Sequence, residues 1–281
     1  MQIERARELG LCFGVRRAVD MLREAATQHG AIQTLGPLAH NRVLLQELER
    51  LGITTVTTPD ELSGPTVVIS AHGVAPDVVE QMRRRGFTII DTTCPNVARA
   101  QRIAAEMTRE GLTIVIFGDA QHTEVRGLLG WAGEKGIATL DADAVRCGAS
   151  AASSRIGIIS QTTQRMEDYI AFVQRLAASV LTFGHEIRAV NTLCDATRKR
   201  QEAAAELART VDAMVVIGGR TSANTRRLVE TCQALVETHH VETAAELGDE
   251  LLRGKRRIGV TAGASTPDSS IDEVENRLRG L

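Results

Sequence analysis

Three of the chain's five cysteines stand where a thiolate forms most easily. Cys12 lies in Gly10-Leu11-Cys12-Phe13-Gly14-Val15, Cys94 in Asp91-Thr92-Thr93-Cys94-Pro95-Asn96-Val97, and Cys194 in Leu193-Cys194-Asp195-Ala196-Thr197. Each comes just before a helical pattern, and Pro95 suits the first position of a helix. Free N–H groups and partial positive charge at a helix N-terminus lower a thiol's pKa and favour the metal-binding thiolate. The spacing matches neither zinc fingers nor ferredoxins, which use local Cys-x-x-Cys runs, and by itself leaves one metal centre and three unrelated cysteines both open. A four-iron cluster on three protein thiolates would leave one iron open to substrate, as Lewis acid and as electron carrier. Cys232, mid-helix, and Cys147, in an irregular stretch, read as small core or surface residues.

A second set of candidate residues follows short β-branched runs. Ser70-Ala71-His72-Gly73, Gly118-Asp119-Ala120-Gln121-His122-Thr123-Glu124, Ser160-Gln161-Thr162-Thr163, Gly218-Gly219-Arg220-Thr221-Ser222-Ala223-Asn224 and Thr261-Ala262-Gly263-Ala264-Ser265-Thr266 all end such runs. His40-Asn41 precedes a helical pattern. Ligands of open α/β sheets gather at the carboxyl ends of strands, and small polar side chains with free N–H groups make a phosphate cradle. Any one segment alone reads as ordinary helix capping; five of one kind point to a ligand. His40, His72 and His122 can donate hydrogen bonds to an anion, with metal ligation as the competing role. Glu124 is a candidate proton donor if burial or phosphate charge raises its pKa, and otherwise an ordinary N-terminal helix charge. No Gly-x-Gly-x-x-Gly or Walker pattern occurs, which argues against a nucleotide bound in the usual way.

The elements that must hold these residues alternate. Runs rich in Val and Ile at 66–70, 88–91, 113–117, 155–160, 213–217 and 257–261 predict strands covered on both faces. Amphipathic patterns predict helices at 14–29, 41–51, 76–85, 95–110, 122–130, 164–180, 197–209, 222–237 and 268–279. Strand–helix alternation implies parallel sheets with crossover helices. A loose rhythm of cysteine, helix and strand starts at Cys12, Cys94 and Cys194 and divides the chain into three α/β units, 1–94 (with Cys94 at its end), 95–192 and 193–281.

Composition narrows the partners. The 281 residues carry 33 basic and 35 acidic side chains, a net charge of −2, so overall charge gives no case for nucleic acid or an anionic membrane. Aromatics are 2% of the chain, leaving no platform for stacked bases. The basic runs Arg83-Arg84-Arg85, Arg198-Lys199-Arg200 and Lys255-Arg256-Arg257 read as solvated helix faces and loops. With no signal-peptide pattern and no long apolar run, a cytoplasmic protein is expected, and there cysteines serve as thiols or metal ligands.

Taken together, these strings resemble the 4-hydroxy-3-methylbut-2-enyl diphosphate reductases, the LytB/IspH family. Besides the segments around Cys12, Cys94 and Cys194, the resemblance rests on Ala39-His40-Asn41-Arg42, Ser70-Ala71-His72-Gly73-Val74, His122-Thr123-Glu124-Val125, Ser160-Gln161-Thr162-Thr163, Thr221-Ser222-Ala223-Asn224 and Thr261-Ala262-Gly263-Ala264-Ser265, in family order from residue 10 to about 268. It implies a trefoil of three α/β units, with mostly parallel sheets, around a central 4Fe-4S cluster held by Cys12, Cys94 and Cys194 with one iron open. It further implies that His40, His72, Ser222, Ala223, Asn224 and Ser265 bind a diphosphate. His122 would contact substrate, Thr162 would lie near its hydroxyl, and Glu124 would donate the proton. Some family members have a serine where this chain has Ala223, so a backbone N–H would serve there, and some have a C-terminal extension beyond the position of Leu281.

The activity so implied is reductive dehydroxylation of 4-hydroxy-3-methylbut-2-enyl diphosphate to isopentenyl and dimethylallyl diphosphate, the last step of the non-mevalonate isoprenoid pathway. No flavin or nicotinamide motif stands out, so a separate ferredoxin or flavodoxin would bring the electrons. Two other readings remain at this level: an iron–sulfur hydro-lyase acting on a phosphorylated substrate, and an iron–sulfur redox sensor that is not an enzyme.

Overall fold

The computed structural model describes residues 1–149, 155–181, 186–248, 250 and 253–280; the side chains of 146–149 lie outside the description. In chain order the elements begin with β1 Gln2–Arg5, α1 Phe13–His29, β2 Ile32–Leu35, α2 Arg42–Arg50, β3 Ile53–Val56, β4 Thr66–Ile69, α3 Pro76–Arg84 and β5 Thr88–Asp91. Next come α4 Pro95–Arg109, β6 Thr113–Phe117, α5 Thr123–Ala132, β7 Ile137–Thr139, α6 Ala142–Ala149, β8 Arg155–Ser160, α7 Met166–Val180 and β9 Glu186–Ala189. The chain finishes with α8 Asp195–Ala208, β10 Ala213–Ile217, α9 Ala223–Gln233, β11 Thr238–Val241, β12 Arg257–Ala262 and α10 Asp268–Arg279.

The strands form three four-stranded sheets, ordered β1-β12-β10-β11, β3-β2-β4-β5 and β7-β6-β8-β9. The chain divides into two compact units: Met1–Ala26, Pro37–Ile53 and Asp195–Leu281 form the first, and Thr27–Gly36 with Thr54–Cys194 the second.

In the first unit β1, β12, β10 and β11 pair in parallel, with Val215 opposite Val260 and Met214 opposite Gly259. The unbroken apolar runs seen in the sequence arise because both faces are covered. Ala213, Val215 and Ile217 pack with Ile258 and Val260 against Ile271, Val274 and Leu278 of α10. The alternate residues Met214 and Val216 pack against Ala204 and Ala208 of α8 and Leu228, Val229 and Cys232 of α9.

The second unit repeats this logic. On β6, Ile114 and Ile116 face Ala100, Ala104 and Met107 of α4 and Val125 and Leu128 of α5. Val115 and Phe117 face Tyr169, Phe172 and Leu176 of α7. In the β4 sheet, Val67 and Ile69 pack with Leu35, Leu62 and Met82.

Three expectations change. The helix expected over 222–237 stops at Gln233, because Thr238–Val241 is needed as the edge strand β11 beside β10. Cys147 belongs to helix α6 rather than to an irregular stretch. In the run Arg198-Lys199-Arg200, taken as solvated, Arg200 is buried at 4% exposure. Helical periodicity explains it: Arg200 shares the inner face of α8 with Thr197, Ala203 and Ala204. Among the described residues, no helix is long and apolar enough to cross a membrane.

Candidate active site

The site residues of the second unit are held at strand ends and helix starts. Cys94 is the N-cap of α4, with Pro95 at the first helical position. Its N–H donates to the Ala71 carbonyl at 3.0 Å, which ties it to the end of β4. Cys194 is tied to the end of β8: its N–H donates to the Thr162 carbonyl at 2.9 Å. Asn96, in the first turn of α4, donates from Nδ2 to the Cys194 sulfur at 3.1 Å. Both cysteines are half-buried thiols outside any disulfide among the described residues.

Glu124 and Thr162 form an enclosed polar pair. Glu124 is 2% exposed. Its Oε1 accepts the Thr162 N–H at 2.7 Å and its Oε2 accepts the Thr162 hydroxyl at 2.8 Å. Burial pushes the Glu124 carboxyl up to about 7, against the smaller lowering effect of the two Thr162 bonds. A carboxylic acid so poised exchanges its proton readily at neutral pH, where an ordinary carboxyl would already have lost it. His122 caps α5, its Nδ1 accepting the Glu124 N–H at 3.2 Å. That bond fixes the neutral tautomer with hydrogen on Nε2, a donor. The rings of His72 and His122 meet edge to face, with centroids 5.6 Å apart.

The frame under this pair is tight. Gln161 Oε1 accepts from the Asp119 N–H at 3.1 Å and from Gln164 Nε2 at 3.0 Å. Thr192 fastens the end of β8 by donating to the Ser160 carbonyl and accepting the Ser160 N–H. A Cβ on Gly118 would lie 2.8 Å from the Gln161 Cβ, so the ends of β6 and β8 approach as they do only with glycine there.

The first unit holds Cys12 and a pocket of small polar side chains. Cys12 donates its N–H to the Ala264 carbonyl at 3.0 Å, beside the end of β12, and its sulfur accepts the Val15 N–H at 3.5 Å. Ser222 caps α9 by accepting the Thr225 N–H at 3.3 Å. Both amide atoms of Asn224 and the hydroxyls of Thr225, Thr261 and Ser265 are buried without a hydrogen-bond partner among the described residues. Buried polar groups are rarely left so, and an anionic ligand rich in acceptors would satisfy the hydroxyls and the Asn224 amide hydrogens. Ala223 is the first residue of α9, where the helix itself gives the backbone N–H no partner. A Cβ on Gly218 would lie 2.8 Å from the hydroxyls of Thr225 and Thr266, and one on Gly263 would collide with Thr225. A side chain on Gly219 would run into the His40 carbonyl, so His40 joins the same pocket wall. Burial, and then the charge of Arg226, lowers the His40 pKa. The ring is therefore neutral, which suits hydrogen bonding more than charge pairing.

The family whose description is "LytB protein" matches residues 3–279. The chain belongs to that family. Among its LytB relatives, the 4-hydroxy-3-methylbut-2-enyl diphosphate reductase of Dehalococcoides mccartyi strain CBDB1 is 46% identical over 281 residues, covering 100% of this chain and 99% of its own. The reductase of Geobacter sp. strain M21 is 42% identical over 100% of this chain and 98% of its own. A solved structure of (E)-4-hydroxy-3-methyl-but-2-enyl diphosphate reductase, described as the terminal enzyme of the non-mevalonate pathway, has a TM-score of 0.74 at 37% identity, each chain covered fully. The corresponding reductase of Plasmodium falciparum shares the fold, at TM-score 0.89 and 24% identity over 98% of this chain and 87% of its own.

The donors of this LytB chain fit an iron–sulfur cluster. Cys12, Cys94 and Cys194 are half-buried, outside any disulfide among the described residues and set at helix starts, and the sulfurs of Cys12 and Cys194 already accept N–H bonds of the kind thiolates take. Cys232 does not fit: it is fully buried among apolar side chains, and burial pushes its thiol up to about 12. Thr225, Thr261 and Asn96 were not singled out from sequence. Thr261 lies inside a polar strand-end string and Thr225 directly after one, whereas nothing local marks Asn96 as a partner of a cysteine 98 residues away.

Proposed function

We propose that this chain is a 4-hydroxy-3-methylbut-2-enyl diphosphate reductase. It would take up two electrons and two protons, release the substrate's hydroxyl as water, and yield isopentenyl and dimethylallyl diphosphate. Membership of the LytB family along nearly the whole chain carries this reading. The buried, protonatable Glu124 supports it, because the reaction must protonate a leaving oxygen at neutral pH.

Cys12, Cys94 and Cys194 would hold a 4Fe-4S cluster. When bound, such a cluster supplies electrons one at a time and an iron not saturated by protein thiolates. Asn224, Ser265, Ser222, Thr225 and Thr261, with the Ala223 N–H and His40, would seat the diphosphate. They can do so without a strong net positive field because neutral donors suffice when fully aligned. His122 Nε2–H and His72 would hold the substrate's polar end.

Glu124 supplies the first proton. Protonated, its Oε2 donates to the Thr162 hydroxyl, reversing the bond seen at 2.8 Å. The Thr162 hydroxyl then hands its own hydrogen to the leaving oxygen. The allylic fragment accepts the second proton at either end, which accounts for two products. An external ferredoxin or flavodoxin would bring the electrons, and the reaction would run in the cytoplasm.

The test is anaerobic turnover with counted reductant. Two electrons consumed for each water released, with both diphosphate products formed, is the expected result. Loss of water without electron consumption would make the chain a hydro-lyase, and binding without turnover would make it a sensor.

A further inference from the structure

Arg200 presents a buried charge that the proposed chemistry does not use. It lies in the second turn of α8 and is 4% exposed. Its guanidinium donates from Nη2 to the Gly10 carbonyl and from Nη1 to the Ala196 carbonyl, each at 3.0 Å. Nε has no partner, and no carboxylate lies within ion-pair distance among the described residues. The neighbours Arg198 and Lys199, by contrast, pair with Asp195, and Arg198 also with Glu202. A full positive charge taken out of water and met only by carbonyl dipoles is expensive, and proteins keep such a charge where a negative partner will arrive.

The two carbonyls say where that partner would be. Gly10 stands two residues before Cys12, and Ala196 two residues after Cys194. Two residues of chain span at most about 7 Å. The cation is thus pinned to the backbone of both cysteine-bearing segments at once. Gly10 is fixed in turn: its φ is +75°, and a Cβ there would press on Ile271 at 3.0 Å.

We infer that Arg200 is a positioning residue that clamps the Cys12 and Cys194 segments together and supplies the buried positive charge offsetting the thiolate-held cluster, thereby setting its reduction potential. The inference rests on the proposed assignment of Cys12 and Cys194 as cluster ligands. Each electron that enters makes the cluster more negative by one charge, so a fixed nearby cation favours the reduced form. Removing the cation moves the potential to more negative values. Tightness of the clamp alone would not.

The experiment compares wild type, Arg200→Met and Arg200→Lys, reconstituted anaerobically with iron and sulfide. Cluster content is measured first, then the potential by dithionite titration with mediators, read by electron paramagnetic resonance. Arg200→Met should hold a cluster whose reduction equilibrium is about tenfold less favourable, about 59 mV for one electron. Arg200→Lys, which keeps the charge, should stay within about threefold of wild type by the same relation. An unchanged potential in Arg200→Met, or an equal fall in Arg200→Lys, overturns the inference. If Arg200→Met does not load, a fully loaded Arg200→Lys at wild-type potential supports it and an unloaded one overturns it. Wild type that binds no cluster would instead defeat the ligand assignment beneath it.

Discussion

Thr162 holds Glu124 twice, through its N–H at 2.7 Å and its hydroxyl at 2.8 Å, while its carbonyl accepts the N–H of Cys194 at 2.9 Å. One residue at the end of β8 therefore fixes both the proposed proton donor and the segment of a proposed cluster ligand. The coupling gives Glu124 a role that can be tested separately for chemistry and for stability.

Glu124→Gln keeps the shape and can keep both bonds to Thr162 but has no proton to give. Turnover should fall on the order of 10²- to 10⁴-fold, with substrate affinity little changed. Retention of normal turnover in a steady-state assay would remove Glu124 from the mechanism.

The same group predicts a pH dependence of folding. Burial raises its pKa from 4.5 to about 7, so the folded chain binds this proton more tightly than the unfolded chain. Stability contributed by Glu124 is complete below 4.5 and is lost as pH rises to about 7, an effect on the order of 3 kcal/mol. Urea denaturation across that range should show Glu124→Gln gaining on wild type as pH rises. Parallel curves would mean that the carboxyl is not desolvated.

Thr162→Val removes the hydroxyl bond that lowers the Glu124 pKa and leaves the backbone bond. Turnover should drop, and the alkaline limb of its pH profile should move to higher pH. A limb that stays in place would assign it to another group.

The Asn224 amide and the Ser265 hydroxyl have no hydrogen-bond partners to lose among the described residues. Asn224→Ala and Ser265→Ala should therefore leave thermal unfolding almost unchanged while KM rises about 10- to 100-fold, the worth of a hydrogen bond to a charged group. Melting temperatures that fall with unaltered KM would make these residues structural.

Gly263→Ala should destabilise the chain by about 1–3 kcal/mol, because the new Cβ collides with the Thr225 hydroxyl. Adding Thr225→Ala removes the obstacle and should recover most of that loss in denaturant unfolding. No recovery would locate the strain elsewhere.

Much of this was legible in the sequence because strands covered on both faces leave unbroken Val and Ile runs, such as Thr113–Phe117 and Ala213–Ile217. The edge strands β1 and β11 were not, since they have one side open and weak apolar signals. Residue types at strand ends gave His122, Glu124 and Thr162, but not that Thr162 bonds Glu124 across 38 positions. The burial of Arg200 shows only in its periodicity with Thr197, Ala203 and Ala204, because the run of three cations by itself reads as solvated.

The most direct test of the whole account is the anaerobic iron and sulfide content of wild type beside single serine replacements of Cys12, Cys94, Cys194 and Cys232. Wild type and Cys232→Ser should each hold about four iron and four sulfide atoms per chain, with the other three variants depleted. Full iron in Cys12→Ser, Cys94→Ser or Cys194→Ser, or none in wild type, would contradict it.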